Sequence, residues 1–506
     1  MNIMELLKPL RNKQIESYTD TDITGLSANS DTIRPGDMFV CLPGTKSDGH
    51  IFIQDAAQKG CSAILAERIV ENRPPGIPYI IVPDTRKAMA ILADQFYEHP
   101  SYGMKLIGVT GTNGKTTTSH LIERILSDYG HSTGLIGTLT MKIDAYVEKT
   151  THTTPDAIEL QAFLRKMKDR GAEYAVLEVS SHALAMGRTR GCDFKTAVFT
   201  NLTHDHLDYH RDMGRYLEDK ALLFTGLGNS YAGEEEKTAI LNADDPASAY
   251  LAARTAVQTF TYGIREQADV RARDIEIRPD GTYFRVKTPV GEADIRLRIS
   301  GEFNVYNALA AIAACLAEDI PLEDIRRSLA SFEGLAGRFQ RIDDGQPFHV
   351  IVDYAHNPDG LEKAIETARR ISRGGVITVA GCEGDRDKAK RPLMASIAAG
   401  LSDWAILTSD NPRSENPEAI LADMTKGIPP QDEPRWEGIV ERREAIYRAL
   451  SYAREGDCVL ITGKGHEQRQ IFAENRSVPF DDAEVALEWL KAAKFESEPS
   501  GKRRKH

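Results

Sequence analysis

The chain has 506 residues, a net charge of −12, 41% hydrophobic and 27% charged residues. That length suits about three domains, and the composition is that of an ordinary globular protein. The acidic balance argues against a nucleic-acid backbone binder, and no run of about 18 apolar residues is available to cross a membrane.

The opening MNIMELLKPLRNKQ is broken by charge too early for a signal peptide. Cys41, Cys61, Cys192, Cys315, Cys382 and Cys458 form no CxxC pair and read as buried free thiols. A cytoplasmic protein is therefore expected. Residues 1–103 mix short apolar runs (DMFVCL, YIIVPD) with helix-like stretches such as TRKAMAILADQFYEHP. HPSYGMK reads as a linker.

A second block, 104–336, opens with the strand KLIGVT, a glycine loop and the helix TTTSHLIERILSDYG. YAVLEVS, TAVFTNLTH and TAILNADD follow, short apolar runs ending in polar residues, as buried parallel strands do when functional groups sit at their carboxyl ends. Residues from about 270 to 300 alternate around a DG turn and predict antiparallel hairpins; YNALAAIAACLAEDI predicts a helix. In the third block, 337–506, FHVIVDYAHNP, GVITVAGCEGDRD, WAILTSDNPR and CVLITGKGHE each end in a polar loop. They predict a second open α/β sheet, Rossmann-like. The basic tail GKRRKH, 501–506, reads as a solvated terminus.

The loop GVTGTNGKTT, 108–117, departs from the strict phosphate-loop pattern at Val109 but keeps its context between strand and helix. Gly111 and Gly114 let backbone N–H groups face an anion, Lys115 can reach β/γ-phosphate oxygens, and Thr116 can ligate Mg²⁺. Glu178 and His206 end neighbouring candidate strands and suggest a hard-oxygen metal site with one imidazole. His204 and His210 read more simply as loop and capping residues, since no zinc-type spacing is present. By spacing alone, Lys220 is a helix-surface lysine.

GTNGKTT, EVSSH, TNLTHDHLDYH, NADD, GEFNVYNALAA, GRFQRI, DYAHNP, GCEGDRDKAKRP, DNPR and GKGHE occur in that order, and together they resemble the Mur ligase family. The resemblance covers nearly the whole chain. It implies three α/β domains: a small UDP-substrate domain, a central ATPase sheet with added antiparallel strands, and a C-terminal amino-acid domain. It implies ATP-dependent ligation through an acyl phosphate, with positive charge and Mg²⁺ around the transferred phosphoryl group.

On this resemblance the nucleotide residues are Gly111, Thr112, Asn113, Gly114, Lys115, Thr116, Thr117, Asn304, Asn307, Arg338, Asp353 and His356. Thr116, Glu178, His206 and Lys220, the last carbamylated by CO₂, attend Mg²⁺. A UDP-muramoyl dipeptide would meet Ser30, Thr45, Lys46 and Ser47 on the first domain, and Thr153, Thr154, Ser180 and Arg188 on the second. DNPR resembles the members that add meso-diaminopimelate: Arg413 would fork onto its far carboxylate, Asp410 or Glu467 would take its ammonium, and Arg391 would hold the carboxylate at the reacting end, with Asn411, Pro412 and Gly463 around them. Lysine would leave Arg413 unpaired. The sequence departs from the family pattern at ANSD (28–31), Met186, Glu383 and Ala389. A monomer with small-molecule substrates and neither nucleic-acid nor membrane partners is expected. The competing readings are a lysine-adding ligase, another ligase of the superfamily such as a folylpolyglutamate ligase, and, outside the ligases, a nucleotide-gated binding protein.

Overall fold

Three main sheets organise the chain in a computed structural model that describes residues 1–44, 47–150, 152–228, 236–430 and 435–493. The first is five-stranded, with strands Gly25–Ser27, Asp37–Val40, Ala63–Ala66 and Tyr79–Ile81 pairing in parallel in chain order and Gln14–Glu16 closing the far edge antiparallel. Helix Thr85–Phe96 covers it through Ala88, Met89, Leu92 and Ala93. The expected linker after it is not loose. Pro100–Gly103 forms a 3₁₀ turn whose Ser101 is buried and hydrogen-bonds to Gly191 O and Asp193 N.

The second sheet has eleven strands. At its centre Lys105–Thr110 pairs in parallel with Tyr174–Glu178 on one side and Phe194–Phe199 on the other. These strands carry Ile, Val, Leu and Phe on both faces because helices cover both faces. Thr238–Asn242 and Gln258–Gly263 extend it in parallel, Val270–Arg278 joins them in parallel, and with Gly281–Thr288 and Gly291–Leu297 it forms the predicted antiparallel hairpins at that edge. The other edge carries a small hairpin, Met141–Ile143 and Tyr146–Glu148, that no residue pattern announced. Helix Glu302–Leu316 is buried almost throughout; its alanines let it lie close against the phosphate-loop helix Lys115–Tyr129.

The third sheet has six strands. His349–Asp353, Cys458–Thr462, Val376–Cys382 and Trp404–Ser409 lie side by side in parallel, flanked by Gln340–Ile342 and Trp436–Gly438. All four central strands end in polar loops on one edge, and the loop after His349–Asp353 meets the phosphate loop of the second sheet. No helix among the described residues is long and apolar enough to cross a membrane.

Candidate active site

The central strand ends at Thr110, and the chain turns through Gly111 (φ +147°) and Gly114 (φ +85°) into helix Lys115–Tyr129. Both turns need glycine twice over: a Cβ would lie 1.9 Å from Thr200 Oγ1 at Gly111 and 2.3 Å from Asn307 Oδ1 at Gly114. The first N–H groups of the helix therefore face a cavity of 710 Å³ between the second and third sheets.

Of the expected nucleotide residues, Thr112 through Thr117, Asn307, Arg338, Asp353 and His356 line this cavity, as do Thr153 and His206. Asn304 lies behind: its amide donates to Ser300 O and its carbonyl accepts from Asn307 Nδ2 at 3.1 Å, so it orients Asn307. Asp353 accepts from Phe339 N and Ala355 N at 2.6 and 2.9 Å, which fixes the loop bearing Tyr354 and His356. Arg338 reaches across from the third sheet to Thr116 Oγ1 at 3.1 Å, with its guanidinium 4.5 Å from the centroid of the Tyr354 ring. Asn113 donates to Asp359 Oδ2 at 2.9 Å, and Asn357 donates to Asn113 Oδ1 and Asp205 Oδ2 at 3.0 and 3.1 Å.

Thr116 donates to Glu178 Oε2 at 3.0 Å, and Thr138 Oγ1 donates to the same oxygen at 2.9 Å. Glu178 and His206 do not sit on adjacent strands, because the central strand separates theirs. His206 adopts φ +55° at the head of the short helix Leu207–His210. Burial pushes its imidazole down to about 3, against the opposing pull of Asp205. Asp205, which no sequence argument singled out, has its Oδ2 3.7 Å from His206 Nε2 and 3.6 Å from His356 Nε2. Burial favours its protonated acid, yet the His356 hydrogen bond and the His206 ring hold it well below the usual carboxylate range. His204 lies 3.4 Å from Asp387 of the third sheet, and His210 is buried with both ring nitrogens partnered, by Asp219 at 2.7 Å and Ser181 at 2.9 Å.

Lys220 is not a surface lysine. It is 1% exposed on helix Met213–Gly226, above the Tyr216 ring, and donates to Gly111 O at 2.8 Å. Burial, with Lys115 nearby, drives its amine well below the ordinary lysine range. Burial likewise lowers Lys115, whose Nζ donates to Gly111 O and Thr112 O at 3.0 and 2.8 Å.

The residues expected to meet a UDP-dipeptide fall into two groups. Thr154 Oγ1 donates to Glu178 O at 2.7 Å, Ser180 N donates to Thr154 Oγ1 at 3.0 Å, and Arg188 Nη1 donates to Thr154 O at 2.7 Å. Met186 gives its sulfur to Arg188 at 3.5 Å. Ser30 is buried in a turn capped by Asn29, and Ser47 is exposed; Thr45 and Lys46 lie outside the described residues, as does the 501–506 tail.

On the third sheet, the loop after Trp404–Ser409 carries Asp410, Asn411, Pro412 and Arg413. Asn411 is buried and bridges Glu467 (2.8 Å), Glu383 (3.2 Å) and Lys464 (3.0 Å). Asp410 is 2% exposed, and burial, opposed by Lys464 and Arg442, pushes it up to about 6. Gly463 (φ +110°) leaves room for it: a Cβ there would lie 2.6 Å from Asp410 Oδ2. Glu467 Oε2 accepts from Lys464 at 2.9 Å. Two of the expected amino-acid ligands already hold partners in the protein. Arg391 is fully buried, with Nη1 and Nη2 on Glu415, Asp423 and Glu383 O at 2.9–3.1 Å, so it braces the loop, its Nε alone lacking a partner among the described residues. Arg413 Nη2 donates to Glu383 Oε1 at 2.8 Å, while its Nε has no partner among the described residues.

Fold and cavity together define a phosphate-loop nucleotide enzyme whose site is shared between two α/β units. Residues 22–97, 109–315 and 337–465 match, respectively, the models described as Mur ligase family, catalytic domain; Mur ligase middle domain; and Mur ligase, glutamate ligase domain. The chain belongs to the Mur ligase family. It is 48% identical over 489 residues to a UDP-N-acetylmuramoyl-L-alanyl-D-glutamate–2,6-diaminopimelate ligase of Bacillus licheniformis, covering 96% of this chain and 98% of that one. A Geobacillus thermodenitrificans protein of the same description is 47% identical over 486 residues, covering 96% and 98%. A solved structure, also so described, superposes with a TM-score of 0.64 at 34% identity, covering 93% of this chain and 95% of that one.

Proposed function

We propose that the protein joins meso-2,6-diaminopimelate to the D-glutamate of UDP-N-acetylmuramoyl-L-alanyl-D-glutamate at the expense of ATP, through an acyl phosphate. What supports this most is the agreement between full-length relatives of that activity and a cavity where a phosphate loop meets the Arg338–His356 edge, with buried Glu178 hydrogen-bonded behind Thr116 and Thr138. The units are read as 1–103 for the UDP-substrate, 104–336 for ATP and 337–506 for the amino acid.

Lys115 exchanges its loop carbonyls for phosphate oxygens, and Arg338 adds charge from the opposite side. Among the described residues no three His, Cys, Asp or Glu side chains gather closely enough to hold a metal alone. That fits Mg²⁺, which takes one or two protein oxygens and fills its shell with water and phosphate. Thr116, Glu178 and His206 would hold it, and the ion would neutralise charge on the transferred phosphoryl group. The depressed Lys220 amine suits carbamylation, since only a neutral amine adds CO₂; the carbamate gives an anionic oxygen where lysine gives none. The Asn113–Asn357–Asp205 contacts keep the third unit over the loop and water away from an acyl phosphate. Arg188, Thr154 and Ser180 meet the muramoyl dipeptide, with Thr153 at the cavity wall.

For the amino acid, Arg413 takes the far carboxylate and the Asp410–Glu467 pair the ammonium beside it. Arg386, half exposed in the loop that leads into the helix carrying buried Arg391, meets the other carboxylate in its place. The test is ADP release with the UDP-dipeptide and ATP, adding meso-diaminopimelate or L-lysine. Turnover strongly favouring diaminopimelate is expected. Turnover with lysine alone would overturn the amino-acid assignment, and ATP hydrolysis without acceptor would overturn the ligase.

A further inference from the structure

We infer that Glu383 is a specificity-determining residue: on Arg413 its carboxylate occupies the place that the far carboxylate of the incoming diamino acid must take. This rests on the amino-acid reading above. Glu383 Oε1 accepts from Arg413 Nη2 at 2.8 Å and from Asn411 Nδ2 at 3.2 Å, while Oε2 lies 3.4 Å from Arg386 Nε. One side chain thus spans both guanidiniums left for substrate once Arg391 is withdrawn.

The backbone beneath it is fixed. Glu383 O accepts from buried Arg391 at 3.1 Å, and Gly384 N donates to Asn411 O at 2.9 Å. A Cβ on Gly384 would lie 1.9 Å from Pro412 O, so the two loops are as close as backbone allows. Only the Glu383 side chain can yield, and at 18% exposure it has solvent to turn into. An amino acid with a far carboxylate must displace it; one without, such as lysine, leaves the Glu383–Arg413 pair intact. The pair therefore weakens binding of the dicarboxylate and softens rejection of lysine. A charge-assisted hydrogen bond of this kind is worth about tenfold in an equilibrium constant.

The test is E383Q and E383A, each measured for KM of meso-diaminopimelate and for L-lysine as alternative substrate or competitive inhibitor. Thermal melts and ATP binding would report on folding. Removing the charge is expected to lower the diaminopimelate KM about tenfold and weaken lysine by a similar factor, so that discrimination shifts about a hundredfold. A raised diaminopimelate KM would overturn the inference, because Glu383 would then be a ligand for substrate ammonium. Unchanged values for both amino acids would overturn it too, leaving a surface ion pair. R413M in parallel separates the levels: if it leaves the wild-type preference intact, the amino-acid reading itself fails.

Discussion

Lys220→Met tests the most unusual side chain in the site. The perturbation is mild for folding. Gly111 O loses the Lys220 hydrogen bond but still accepts from Lys115 at 3.0 Å, so no buried carbonyl is orphaned. Methionine, one atom shorter and unbranched, packs on Tyr216, and removing a buried amine relieves the desolvation that depresses it. Loss of one hydrogen bond at about 1 kcal/mol is then largely offset by apolar burial at about 0.8 kcal/mol per CH₂. A change within about 1 kcal/mol moves Tm by less than about 4 °C. The chemical cost is much larger, because an anionic oxygen near the transferring phosphoryl group is gone; a loss of roughly 10²–10³ in kcat is expected. The assay is ADP release in CO₂-depleted buffer with and without bicarbonate, beside a thermal melt. Wild type should regain activity with bicarbonate and K220M should not. Near-normal turnover by K220M would refute the carbamate, and a collapse of Tm would refute the packing argument.

Two further outcomes follow from the same geometry. R391M should lower Tm, because the buried guanidinium's hydrogen bonds to Glu415, Asp423 and Glu383 O are lost, while Lys388 and Lys426 still pair the two acids. R386A should leave the melt unchanged and raise the diaminopimelate KM; the reverse pattern would restore Arg391 to the ligand. The second concerns pH. Burial lowers His182 to about 4 and His466 to about 3, against 6.5 for free imidazole. Between those values the unfolded chain binds protons that the folded chain refuses, so stability rises with pH across that window. Thermal melts from pH 7.5 to 5 should therefore show Tm falling as acid is added, with H182Q flattening the slope; a flat wild-type profile would contradict it.

The sequence served well where the signal was local. The phosphate loop was legible because anion binding at a helix start needs glycine at fixed places, and the strand ends because apolar runs stop where polar work begins. It served poorly where partners came from far along the chain. Asp205 stood inside a motif that was read for its histidines, and its meaning comes from His356 and Asn357, about 150 residues away. The motif order had put Arg391 on substrate. The structure spends it on Glu415 and Asp423, 24 and 32 residues further along the chain, a separation that no periodicity reveals.

The sequence by itself determined the family, the three α/β units, the nucleotide loop and the DNPR loop, because each depends on residue types at short spacing or on motifs in order. Tertiary structure alone decided which charges are free. Lys220 became a buried amine, Arg391 a brace, and Glu383 the partner of Arg413, because burial and pairing are set by what the fold brings within a few ångströms. A linear chain carries the charges without saying which of them will meet.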